Sequence, residues 1–151
     1  FNVKLDYPSF EEEVQIVRQT TVDRDDKVEK ILTAEEILAF QQLIRRMPVP
    51  GNVVEYAVKL VGQTRPSTQP IKHLDNQTIS RYISWGAGPR ASQYLIMGAR
   101  TYAAMHGKYS PDAEDVRAVA FNVLRHRIVR NYFAEAENIS TDQIINELLK
   151  S

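Results

Sequence analysis

Helix-start signals recur along this chain, and little between them offers a sheet. Ser9 is followed three positions on by Glu12, Thr33 by Glu36 and Ser140 by Gln143. In each pair the hydroxyl is placed to accept from a first-turn backbone N–H, while the longer side chain reaches back to the N–H before the helix. Glu11, Glu12 and Glu13 add negative charge at the positive end of the first helix. After Thr33, the apolar residues Ile37, Phe40, Ile44 and Met47 recur at helical spacing. The pattern predicts a mainly α chain of five or six helices with one or two short strands.

Proline and glycine punctuate the rest. Pro48 and Pro50 close the second helix, and Pro50 sits where a third can begin, with the stripe Val53, Ala57, Leu60 and Val61. Arg65 to Ser80 reads as a loop, and Ile79 to Trp85 as a short strand or extended piece ended by Gly86, Gly88 and Pro89. A long helix is expected from about Pro89 to His106, with Gly107 as its stop. Ser110 then reads as a cap, with Pro111 at the first helical position of a helix bearing Val116, Val119, Ala120, Val123 and Leu124. Leu124 to Phe133 is ambiguous between helix and extended chain, and a last helix carries Ile144, Ile145, Leu148 and Leu149.

The opening differs. Phe1, Val3, Leu5 and Tyr7 alternate with Asn2, Lys4 and Asp6, which is a strand period, and no initiator methionine precedes them. Either a strand here belongs to a neighbouring domain of a larger protein, or the segment is a frayed end.

The 151 residues suit one domain. No apolar run approaches ~18 residues, so a membrane span is not expected. Charges and Pro8 interrupt the first ten residues where a secretory signal needs an apolar core. Cysteine is absent, which excludes disulfide and thiol chemistry, limits any metal site to His, Asp or Glu, and makes the cytoplasm the default address. Lys and Arg number 19, as do Asp and Glu, so the chain is no bulk polyanion binder. The charge is uneven: residues 81–130 hold eight basic against three acidic residues, a local +5.

No complete catalytic kit is present. Gly107-Lys108 is followed by Tyr109 and lacks the upstream glycine of a phosphate loop, and His73, His106 and His126 have no ligand-like spacing. The segment by itself does not read as an enzyme. Gly86-Ala87-Gly88-Pro89-Arg90-Ala91 stands out, because a glycine-rich turn there feeds a helix whose first turn holds Arg90. An arginine at the positive helix end is unfavourable by roughly 0.3–1 kcal/mol until an anion arrives. The plain alternative is a surface arginine beside an ordinary turn. Arg125-His126-Arg127, with Arg130, is either a contact for phosphate, nucleic acid or an acidic protein, or the solvated edge of an amphipathic helix. Tyr7-Pro8 could offer a planar surface to a ligand, or simply end a strand.

Four stretches resemble the C-terminal part of MoxR-type AAA+ ATPases. They are Asp6-Tyr7-Pro8-Ser9 with Glu11 to Glu13; YAVKLVGQTR from Tyr56 to Arg65; GAGPRA from Gly86; and Tyr109 to Ile128, with S-P-D-A-E-D-V and V-L-R-H-R-I. Their order and spacing are similar to the family's over nearly the whole chain, least closely at 66–80 and 131–151. The resemblance implies an AAA+ lid-type helical bundle at 9–151, with a loop insertion at 66–80, preceded at 1–8 by the last strand of an ATPase core.

It also implies roles. Arg90 matches the sensor-two arginine, which points from the lid at the gamma-phosphate of ATP, and Pro89 and Ala91 match its framing. Gly88 stands where the family usually has serine. Tyr7 and Pro8 fall where the core-to-lid hinge lines the adenine pocket. Arg125, His126 and Arg127 match a family motif of underived role, for which subunit or partner contact is the expectation. ATP and Mg2+ would be bound mostly by the core, where the phosphate loop and the magnesium-binding motif belong. Expected partners are that core, neighbouring subunits of a hexameric ring, and a client or von Willebrand A-domain protein, with chaperone-like assembly as the outcome. Membrane and nucleic acid are not expected. The competing reading is a stand-alone helical domain that binds nucleic acid or protein.

Overall fold

The computed structural model describes residues 1–23, 28–66 and 81–150. The elements run α1 (Phe10–Thr20), α2 (Ala34–Arg46), α3 (Gly51–Gln63), β1 (Ile83–Trp85), α4 (Pro89–Met105), α5 (Ala113–Leu124), β2 (Val129–Arg130), α6 (Tyr132–Ala136) and α7 (Thr141–Lys150). The described residues thus hold seven helices, one more than the upper expectation, and the chain is mainly α as expected. The extra helix is α6, which lies in and just beyond the ambiguous stretch. The 66–80 loop and His73 fall, apart from Pro66, outside the described residues.

The core is built on α4 and α5, with α3 packed on both and α7 closing against α5 and α3. From α4 come Ala91, Leu95 and Ala99, and from α5 come Val116, Val119, Ala120, Val123 and Leu124. The α3 stripe of Val53, Ala57, Leu60 and Val61 is buried whole, as are Ile144, Ile145 and Leu148 of α7. In β1 and β2, which pair antiparallel, Ile83 lies opposite Arg130 and Trp85 opposite Val129 across a local irregularity.

Helix ends follow the chemistry of their caps. Ser9 and Thr33 form complete capping boxes with Glu12 and Glu36. Ser140 and Gln143 exchange the same pair of bonds at 2.7 and 3.1 Å. Gly107, at φ +72°, ends α4. Its N–H donates to Ala104 and that of Lys108 to Ala103, at 3.0 and 2.9 Å, which is the Schellman arrangement. Asn138, at φ 55°, does the same for α6, with the Ile139 N–H reaching the Ala134 carbonyl at 2.8 Å.

One cap differs from expectation. The N-cap of α5 is Asp112, not Ser110, and the helix starts at Ala113. The Asp112 carboxylate accepts from the N–H groups of Glu114 and Asp115, while the Asp115 carboxylate accepts from the N–H of Asp112. Asp115 is itself buried, and Lys108 Nζ lies 2.9 Å from both carboxylates. A buried carboxylate at N3 outcompetes a serine whose own third position is Ala113.

α1 and α2 are amphipathic, yet neither buries a residue fully. Ile37 and Phe40 remain exposed, and Ile44 and Met47 are half-buried. Residues 1–8 lie outside the β1–β2 sheet. The Asn2 N–H donates to the Asn122 carbonyl at 2.8 Å, which lays this segment along the end of α5. No described helix is long and apolar enough to cross a membrane.

The Lys108 ammonium, followed by the Asp115 N–H, holds the Asp112 carboxyl below its ordinary pKa. A group depressed on folding stabilises above its unfolded pKa, and that stabilisation is lost as pH falls through the folded value. Urea midpoints should therefore fall between pH 6 and pH 3, and fall less in Asp112→Asn. An equal fall in the variant would refute this account.

Candidate functional site

The GAGPRA turn is seated on the C-terminal end of α3. A Cβ built on Gly86 would lie 2.3 Å from the Thr64 carbonyl oxygen and 2.7 Å from Arg65 Cα, so only glycine permits this approach. Thr64, 0% exposed, supplies the polar contact. Its hydroxyl donates to the Val61 carbonyl at 2.7 Å and accepts from the Ala87 N–H at 2.8 Å. Arg65 Nε donates to the Ala87 carbonyl at 3.0 Å. Both backbone polar atoms of Ala87 are thus held by consecutive residues at the end of α3. Sequence reasoning took Thr64 and Arg65 as part of a resemblance and assigned them no task. A hydroxyl next to an arginine just past an apolar stripe was the only signal available.

From this seat the chain enters α4. Gly88 is the N-cap, at φ −83° and ψ 178°, and no side chain caps the helix. Pro89 takes the first helical position, where its missing N–H costs nothing. Arg90 follows in the first turn. It is exposed, and among the described residues its guanidinium has no hydrogen-bond or ion-pair partner. Among the described residues its charge therefore meets the positive helix end with no acidic partner to offset it.

The other expected residues lie elsewhere. Tyr7 is 100% exposed, and it and Pro8 just precede α1, with no hydrogen bond or ring contact to Arg90 among the described residues. In the basic cluster, Arg125 grips Asp142 of α7 with two bonds of 2.7 and 3.1 Å. Hydrogen bonding to Asp142 raises its pKa, with a smaller contribution from Asp6. Arg127 lies over the Tyr94 ring at 5.1 Å and bonds the Val123 carbonyl. Arg130 Nη1 donates to the Ile139 carbonyl at 2.9 Å. His126 is the exposed member, and desolvation of its ring, then the Arg127 charge, pulls its pKa below the ordinary value. No group of three His, Asp or Glu among the described residues could hold a metal ion.

Residues 76–148 match the family model of the AAA lid domain, so the class of this fold is an AAA lid. All 151 residues align at 33% identity with Chaperone MoxR1 of Mycobacterium tuberculosis, covering 39% of that protein. The uncharacterised protein YeaC of Bacillus subtilis is 25% identical over 154 residues, and the chain covers 43% of it. The crystal structure of a candidate ATPase from Cytophaga hutchinsonii superposes with a TM-score of 0.84 at 31% identity, over 97% of this chain and 43% of that one. The chain thus carries an AAA lid domain and is similar over its whole length to MoxR-like proteins. It spans about two fifths of the length of the curated relatives it matches.

The two glycines of the turn should respond differently to substitution. Gly86→Ala must displace the turn from Thr64 and should destabilise by about 1–3 kcal/mol. Gly88→Ser meets nothing within 4 Å, gains a capping hydroxyl, and should be neutral or stabilise by a few tenths of a kcal/mol. Equal thermal midpoints for the two variants would overturn this seating of the turn.

Proposed function

We propose that this chain is the lid of a MoxR-type AAA+ ATPase and that Arg90 senses the gamma-phosphate of ATP held, with Mg2+, mainly by a core domain. The observation that carries the proposal is Arg90 itself: an exposed cation, without a partner among the described residues, in the first turn of α4, on a turn fixed at Ala87. Such a charge gains most from an anion brought against it, and a terminal phosphate fits a guanidinium beside helix N–H donors. Bound nucleotide supplies that anion and the phosphoryl group to be transferred.

The protein's part is position and charge. Phosphoryl transfer depends mainly on orientation and electrostatic stabilisation, both of which an arginine on a mobile lid provides. Pro89 fixes the direction in which α4 presents it. Tyr7 and Pro8 line the adenine side of the hinge in this reading, and residues 1–8 complete the core sheet. The exposed alternation of Phe1, Val3, Leu5 and Tyr7 supports that assignment, as do the uncovered apolar residues Phe10 and Val17 of α1. Lid movement then passes to neighbouring subunits of a hexameric ring in the cytoplasm and to a client or von Willebrand A-domain protein that is assembled or activated. His126, the exposed member of its cluster, is the residue we assign to subunit or partner contact, with Arg125 and Arg127 holding its surroundings in place.

Nucleic-acid binding loses its main support, because Arg125 and Arg130 are engaged inside the domain. Two assays test the proposal. The 151-residue chain should hydrolyse no ATP, and turnover by pure chain would refute the assignment of catalysis to the core. In the full-length ATPase, Arg90→Ala should lower turnover tenfold or more, about 1.4 kcal/mol of transition-state stabilisation, and wild-type kinetics would end the sensing role.

A further inference from the structure

We infer that Thr64 and Arg65 are positioning residues for Arg90, fixing where its backbone, and so the base of its side chain, sits relative to α3. The inference rests on the sensing role proposed above and adds the device that aims the sensor. Thr64 and Ala87 are far apart in sequence but share a buried contact of 2.8 Å. The Thr64 hydroxyl has one proton and gives it to the Val61 carbonyl at 2.7 Å, so its oxygen is oriented to accept from the Ala87 N–H. Arg65 Nε closes the other side at the Ala87 carbonyl, 3.0 Å away. Gly86 lets the two backbones touch, and a Cβ there would meet Thr64 and Arg65 backbone atoms at 2.3 to 2.7 Å.

Only Gly88 and Pro89 separate Ala87 from Arg90, and the proline ring locks its own φ. Little freedom is left between the clamp and the arginine. The middle of α3 is tied as well: Arg117 of α5 donates through Nε to the Tyr56 hydroxyl at 2.9 Å, with its guanidinium over the same ring at 5.5 Å. α3, the turn, α4 and α5 are therefore joined by polar contacts as well as by packing. In this reading a displacement of α3 carries the Arg90 backbone with it, and loosening the clamp frees that backbone while the core packing stays in place.

The test is a double-mutant cycle in the full-length ATPase, with hydrogen exchange of the peptide spanning residues 83–91 measured alongside. Thr64→Val keeps the shape and removes the acceptor for the Ala87 N–H, whereas Thr64→Ser keeps it. We expect Thr64→Val to lower kcat for ATP about tenfold, Thr64→Ser to retain wild-type turnover, and exchange in the peptide to rise in the valine variant only. In an Arg90→Ala background, Thr64→Val should cost less than about twofold, because the residue it aims is gone. Equal losses in both backgrounds would overturn the inference and leave Thr64 a stability residue. Unchanged exchange in Thr64→Val would overturn it too. If Arg90→Ala alone leaves turnover intact, the sensing reading fails first, and the exchange data still decide whether the clamp exists. Should Thr64→Val not fold, Arg65→Ala, a change at an exposed side chain, replaces it under the same criteria.

Discussion

The close approach of α4 to α5 sets the geometry of everything else. α4 presents small residues at the contact: Ala91, Gly98, Ala99 and Ala103, all buried. α5 answers with Val116, Val119, Ala120 and Val123. At the centre, a Cβ on Gly98 would lie 3.1 Å from Val119 Cγ2. Glycine within a helix costs roughly 0.5–1 kcal/mol against alanine. That cost is outweighed by seating branched side chains against a neighbouring backbone, where each buried methylene contributes about 0.8 kcal/mol. With the pair this close, α3 and α7 can bury Leu60, Ile144 and Leu148 around it. Loops and caps need only deliver each helix at the right height.

Buried polar groups show how that delivery is done. Among the described residues, Thr64 and Asp115 are the buried polar and charged side chains, and each joins two elements. Thr64 ties the end of α3 to the turn before α4, and Asp115 ties the start of α5 to Lys108, just past the end of α4. A buried polar group left unpaired costs about 1–3 kcal/mol, so each one selects the arrangement in which its partners are present. Arg125 and Asp142 do the same between α5 and α7 from a half-buried position. The apolar helices supply the attraction, and these few contacts choose the register.

Most of the helical frame was legible because its signals are local. The three Ser or Thr capping boxes, the α3 stripe and Gly107 each act within one or two turns, so residue spacing alone located them. One helix start was misplaced: Ser110 before Pro111 looks like a cap, but the box of Asp112 with Asp115, backed by Lys108, starts the helix two residues further on. α6 was missed because five residues ended by Asn138 in a left-handed conformation carry little periodicity. The β1–β2 pairing and the Thr64–Ala87 bond join residues far apart in sequence, which no local pattern reports. The glycine-rich turn and the start of α4 at Pro89 were legible, whereas the Thr64 and Arg65 contacts that hold the turn were not. The same blindness covers α1, read from its capping box, and α2, read from its stripe: both are helical, although neither buries a residue fully among the described residues.

That contrast bears on how a lid of this kind works. An arginine beside a positive helix end is a poor stabiliser of its own domain, so its place must be enforced by other contacts. Here the enforcement comes from Gly86, Thr64 and Arg65, none of which carries the charge in question. Enforcement by a neutral hydroxyl is effective because it is buried and cannot exchange its partners for water. Enforcement by a surface ion pair would weaken with salt and would compete with the incoming anion for the same guanidinium. Under the proposed sensing role, leaving Arg90 without a partner among the described residues while fixing its backbone keeps the whole charge available to a ligand and spends no binding energy on ordering the turn. Preorganisation of this kind is what lets an electrostatic contact act on a reaction rather than merely follow it.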